Sequence, residues 1–279
     1  IGVSRFSDEA QRSYLETVGV ECIKADLLDE RAIADLPGAS HVMLLAGYKF
    51  GATGNEPMTW AMNTWLPGMV MKRYSNASIV YVSSGNVYAF TDVHSSGSSE
   101  DGELGPVGEY AQSRLGGERI AEYFSKLNGT PLVIARLFYA TELRYGIIHD
   151  IVHNVYQGFP IDLSMGHVNQ IWQGDANGYL ASMFPLCESP ARIINLTGPD
   201  VLTVKNIACR AGELLGTAPV FTGSESPTAL LGDTKLLYNH FDKPAINIDQ
   251  MISWIVHWVS MGGRSLGKPT KYESRTGSF

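Results

Sequence analysis

Two uninterrupted apolar runs, His41–Ala46 (HVMLLA) and Ser78–Ser83 (SIVYVS), constrain the fold more than any other feature of this chain. A strand that alternates apolar and polar residues can leave one face in water, whereas a strand without alternation has to be covered on both faces. Further strand-like segments are read at Ile1–Ser4, Val20–Ala25, Leu132–Leu137 and Ala191–Asn195. Between them, helical spacing runs over Asp8–Thr17, Asp29–Leu36, Thr59–Tyr74, Tyr110–Leu127 and Asp175–Pro185. Strands that alternate with helices predict a parallel sheet with right-handed crossovers, and so an α/β, doubly wound fold. Past about residue 140 the pattern loosens into amphipathic helices at Ile147–Gln157, Val204–Leu215 and Ile248–Ser260, which predict a smaller C-terminal lobe.

Composition narrows the function. At 279 residues and 44% apolar, the chain can bury one sizeable core and a lesser one. A net charge of −7 argues against a nucleic-acid partner. No apolar run reaches the roughly 18 residues of a membrane span, and no signal-peptide pattern is present. Cys22, Cys187 and Cys209 fit neither a disulfide framework nor zinc spacing, so they read as incidental thiols in a reducing compartment, the cytoplasm. His149 and His153 stand four apart without a third ligand, and no metal is expected. Residues 94–108, rich in Ser, Gly and acidic side chains, read as a mobile surface loop. The tail 262–279 carries Arg264, Lys268, Lys271 and Arg275 against Glu273 alone, and is expected to be solvated or else docked on a neighbouring subunit.

The chemistry concentrates between residues 81 and 118. A strand ends in Ser83-Ser84-Gly85-Asn86-Val87-Tyr88, and a helix opens with Tyr110-Ala111-Gln112-Ser113-Arg114. Hydroxyls at the carboxyl end of a parallel strand sit where open α/β sheets bind ligands, and a tyrosine at the start of the next helix can face the same crevice. A tyrosine that acts as a base needs its pKa brought down from about 10 by a nearby cation, and Arg114 lies one helical turn on.

This stretch resembles the Ser/Thr and YxxxK active site of extended short-chain dehydrogenases/reductases of the NAD-dependent epimerase/dehydratase family. The resemblance includes the helix continuation LGGERIAEYF, the segment Asn195-Leu196-Thr197-Gly198-Pro199 and LLGDTKLL at Leu230–Leu237. It implies a Rossmann-type sheet, with residues 1–140 and parts of 170–200 forming an incomplete dinucleotide-binding domain. Residues 141–261 would be mainly the substrate lobe, and 262–279 the tail. The implied catalytic residues are Ser84, Tyr110, Arg114 and Asn63, and the implied cofactor-binding residues are Asp26, Leu27, Ala46, Gly47, Ser83, Tyr110 and Arg114. Arg5, just beyond a Rossmann strand, favours NADP over NAD as cofactor.

The same comparison shows three departures. Arg114 stands where the family has Lys. The family's opening strand and glycine-rich turn have no counterpart, which corresponds to roughly 30 residues by the usual βαβ length. No Arg occupies Val168–Asp175, where relatives carry a phosphate-binding one. Arg136 and Arg144 read equally as anion contacts or ion pairs, and Trp172 as core or substrate packing. The expected activity is an NAD(P)-dependent oxidoreductase, epimerase or dehydratase acting at a secondary alcohol or ketone of a small-molecule substrate, sugars and sugar nucleotides among them. The alternative is a non-catalytic cofactor sensor or scaffold on the same fold. The resemblance also implies a homodimer through Thr59–Tyr74 and Tyr110–Leu127, with Met62, Trp65, Leu66, Met69 and Val70 on its face.

Overall fold

A computed structural model describes residues 1–277. Its centre is a four-stranded, wholly parallel sheet in the order Arg192–Leu196, Leu132–Leu137, Ser78–Ser84, His41–Leu44. The two apolar runs are therefore neighbours. Because side chains alternate across a strand, Ile79 and Tyr81 join Leu66, Val70 and Ala121 on one face, and Val80 and Val82 join Ala176, Leu180 and Leu237 on the other. Both faces are covered, as the missing alternation requires. Gly2–Ser4 and Cys22–Lys24 form a separate parallel pair. Among the described residues, the free edge of His41–Leu44 pairs with no strand.

Helix starts follow local chemistry. The side chains of Asp8 and Asp29 accept main-chain N–H groups at the heads of Glu9–Thr17 and Glu30–Asp35, and Asn247 forms a reciprocal capping box with Gln250. The expected helix over Thr59–Tyr74 runs without interruption from Glu56 to Arg73, with a π-helical turn at Ala61–Trp65 inside it. Pro67 explains the π turn: it has no N–H to return to the Asn63 carbonyl. The Tyr81 hydroxyl donates to that carbonyl instead, at 3.4 Å. Helix Gly108–Asn128 presses so closely here that a Cβ on Gly117 would lie 2.1 Å from the same oxygen.

The C-terminal helices Ile147–Gln157, Val204–Leu215 and Ile248–Ser260 enclose a core of their own. The tail is largely exposed, as expected, but it is fastened to its own chain. Leu266 N–H donates to the Arg144 carbonyl at 3.1 Å. Thr270 donates to Asp150 through its N–H (2.7 Å) and its hydroxyl (2.6 Å), and Tyr272 is buried in the lobe core. Arg275 donates twice to Thr228 and stacks on Phe90. Its apolar and hydroxyl residues anchor the segment while most of its charges stay wet; Ser278 and Phe279 lie outside the described residues. The 94–108 loop is also held, by Ser98 N–H on the Leu231 carbonyl and by the Asn195 carboxamide on the Ser98 carbonyl.

Candidate active site

A cavity of about 470 Å³ opens at the carboxyl ends of the central strands, between sheet and lobe. Ser84, Tyr110 and Arg114 line it together. Ser84 ends its strand with its hydroxyl accepting the Asn86 N–H at 3.2 Å and donating to the Asn86 carboxamide oxygen at 3.1 Å. Tyr110 is buried in the first turn of its helix, and its hydroxyl engages both Arg114 and Ser84. Burial alone would raise its pKa, but the charges of Arg114 and Lys49 and the hydrogen bonds it shares with Arg114 and Ser84 outweigh burial and bring it below 10.

Arg114 is buried, and its guanidinium donates to the Ala46 carbonyl at 3.4 Å. Gly47 is what lets it lie there, since a Cβ on Gly47 would sit 2.4 Å from the guanidinium. Arg114 Nε has no hydrogen-bond partner among the described residues, a donor left over for a ligand.

Lys49, which sequence reasoning passed over, places its ammonium 5.9 Å from the Tyr110 ring centroid. Its pKa is lowered, burial outweighing the opposing pull of Tyr110 and Asp150. Its position two residues past Ala46-Gly47, at the rim of the sheet, was the available signal.

Other expected site residues play different parts. Asn63 is fully buried and does not line the cavity; it binds the Tyr48 main chain, accepting the N–H at 2.8 Å and donating to the carbonyl at 2.9 Å, and donates also to Ser113. It positions the turn that carries Gly47 and Lys49. Ser83 also lines the cavity, but its hydroxyl is engaged by donating to buried Glu118 at 2.6 Å. Glu118 forms a buried ion pair with Arg136, which also donates to the Tyr88 hydroxyl, so Arg136 is structural. Arg144 lines the cavity beside Glu142. Trp172 packs edge-on against Trp254 in the lobe. Arg5, Asp26 and Leu27 lie outside the cavity lining: Arg5 is exposed just past Gly2–Ser4, Asp26 accepts the Leu28 N–H, and Leu27 packs under the sheet. His149 is buried on its helix, and no metal-binding cluster occurs among the described residues.

No helix among the described residues is long and apolar enough to cross a membrane. Solved structures share the fold at low identity. Pal from Bacillus thuringiensis superposes with a TM-score of 0.78 at 14% identity, covering 93% of this chain and 90% of that one. UDP-glucuronic acid 4-epimerase from Bacillus cereus in complex with NAD gives 0.73 at 15%, covering 93% and 90%. RMD from Pseudomonas aeruginosa complexed with NADPH gives 0.72 at 17%, covering 91% and 95%. No curated protein sequence matches the chain. The profile of the NAD dependent epimerase/dehydratase family matches residues 1–142, just over half of the sequence. With the parallel sheet and the rim site on which that match falls, the chain belongs to the NAD dependent epimerase/dehydratase family.

Proposed function

We propose that the chain is a nicotinamide-dependent epimerase, dehydratase or reductase acting at a secondary alcohol or ketone, with Tyr110 as its acid/base. One observation carries the reading: the Tyr110 hydroxyl meets Ser84 inside the rim cavity while two cations, Arg114 and Lys49, hold its pKa down. A nicotinamide dinucleotide, when bound, supplies the hydride acceptor and donor. Tyr110 as phenolate takes the proton of the substrate hydroxyl, and as phenol returns one to the carbonyl. Ser84 donates a hydrogen bond to the reacting oxygen. Arg114 stays charged throughout and cannot relay a proton, so the proton on Tyr110 exchanges with substrate or solvent instead.

The residues present fit such a cofactor. Ala46, Gly47 and the unsatisfied Arg114 Nε offer it main-chain and guanidinium contacts, and Arg5, Asp26 and Leu27 are assigned to its adenosine end. The exposed Arg5 supports NADP; solved neighbours carry NAD or NADPH. A sugar nucleotide is the favoured substrate class, since a neighbour is a UDP-glucuronic acid 4-epimerase. Residues 1–140 with parts of 170–200 would hold the cofactor, and 141–261 the substrate. Three separate thiols support a reducing compartment such as the cytoplasm. A homodimer is supported by exposed Met58, Trp60, Trp65, Tyr123 and Leu127 on the two helical segments; Leu66, Met69 and Val70, first assigned to that face, point into the sheet's own core.

A sensor that binds cofactor without turnover is the second reading, favoured by the guanidinium that fills the space over Gly47. Titration with NADPH and NADH by tryptophan fluorescence, followed by a panel of UDP-sugars and small hydroxyketones, separates the two. Coenzyme binding with turnover that Tyr110→Phe abolishes is the expected result. Failure to bind either coenzyme, or undiminished turnover in Tyr110→Phe, overturns the enzyme reading.

A further inference from the structure

The basic tail has no part in the chemistry above, yet it is fastened across the mouth of the cavity. Leu266, Lys268 and Thr270 line the same space as Ser84 and Tyr110. Its fastening is specific: Leu266 is bonded to the Arg144 main chain, and Thr270 to Asp150 on the lobe helix. Between these two anchors stands Lys268. Its ammonium lies 5.5 Å from the Phe50 ring centroid, and the Lys49 ammonium lies 5.9 Å from the same ring. Phe50 in turn meets Tyr145 edge-on, which joins the loop carrying Lys49 to the segment carrying Arg144.

The charge balance of this cavity is opposite to that of the chain. Lys49, Arg114, Arg144 and Lys268 line it against Glu142 alone, in a protein of net charge −7. Lys268 is exposed and forms no ion pair among the described residues, while Arg144 has only the Glu142 carboxylate. A low-dielectric cleft lined by one sign of charge attracts and orients ligands of the other sign.

We propose that Lys268, held in place by the docked tail, forms with Arg144 and Lys49 a cationic rim that binds a multiply charged oxyanion of the substrate. The inference rests on reading this cavity as the active site.

The test is calorimetric titration of the full chain with inorganic pyrophosphate, and with malonate to distinguish phosphate from carboxylate as the oxyanion. Wild-type protein should bind at least one of them. Lys268→Ala and Arg144→Ala should each weaken binding by about three- to tenfold, and added salt should shrink the difference. Lys271→Ala, which removes a tail charge facing away from this cavity, should leave affinity unchanged. The rim is refuted if neither anion binds the wild type, or if Lys268→Ala binds as the wild type does. NADPH and NADH titration of the same proteins keeps the outcomes apart. Lost coenzyme binding with an intact anion rim sinks the enzyme reading alone, whereas intact coenzyme binding with no anion effect sinks the rim alone.

Discussion

The Lys49 ammonium lies over the Tyr110 ring, 5.9 Å from its centroid, and each group biases the other's ionisation. A positive charge beside a phenol favours the phenolate, so removing it must raise the phenol's pKa. Lys49→Met is therefore expected to move the Tyr110 step of a tyrosinate absorbance titration to higher pH. Activity limited by Tyr110 as base should likewise fall near neutrality and recover at higher pH. Tyr110→Phe should lack the step and lose about a hundredfold or more in turnover. A step unmoved in Lys49→Met would show that Arg114 alone sets the ionisation.

Arg114→Lys introduces the residue that the resemblance to the family's YxxxK pattern implies at this position. The shorter side chain vacates the space above Gly47 and removes the orphaned Nε, while retaining the charge beside Tyr110. We expect equal or greater turnover and tighter coenzyme binding, measured by steady-state kinetics and fluorescence titration. Lower values of both would mean that the guanidinium is itself a fitted cofactor contact.

The Glu118–Arg136 pair lies directly behind Ser83, with both side chains almost wholly excluded from water. Glu118→Ala leaves a buried guanidinium without its counter-charge, and about 3–5 kcal/mol of stability should be lost in urea unfolding. Truncating one side of an exposed pair such as Arg210–Glu213 should cost under about 1 kcal/mol.

Arg5→Ala should weaken NADPH binding while changing NADH little, because only the former carries a 2′-phosphate for a basic residue past the strand to meet. Equal loss of both, or no loss of either, by fluorescence titration removes Arg5 from the cofactor site.

The sheet was legible because buried parallel strands leave a plain mark: runs such as HVMLLA and SIVYVS have no polar alternation. Helix starts were legible to within a residue: the expected segments begin at Asp8 and Asp29, which the structure shows to be N-caps. Ser84, Tyr110 and Arg114 were legible as a spacing, and the fold brings them to one cavity. The side to which a hydroxyl points was not legible. Ser83 and Ser84 are adjacent and alike, and only strand alternation sends one to Glu118 and the other to Tyr110. The helix reading ran through Pro67 because periodicity survives a π turn, although the missing N–H was visible in the sequence. The tail's exposure was legible from its charges, but its fastening was not: Thr270 and Tyr272, which hold it down, are too few to register as a pattern.

Asn63 holds Tyr48 by both its N–H and its carbonyl, the two peptide units that flank that residue, and this restricts how such a fold can diversify. Lengthening the stretch between Leu44 and Tyr48 by a single residue would offer the carboxamide the wrong main-chain groups and swing Lys49 off the phenol. Variation around the cavity must then enter through segments fastened at fewer points, and the strap around Lys268 is one where a residue can change without moving Tyr110.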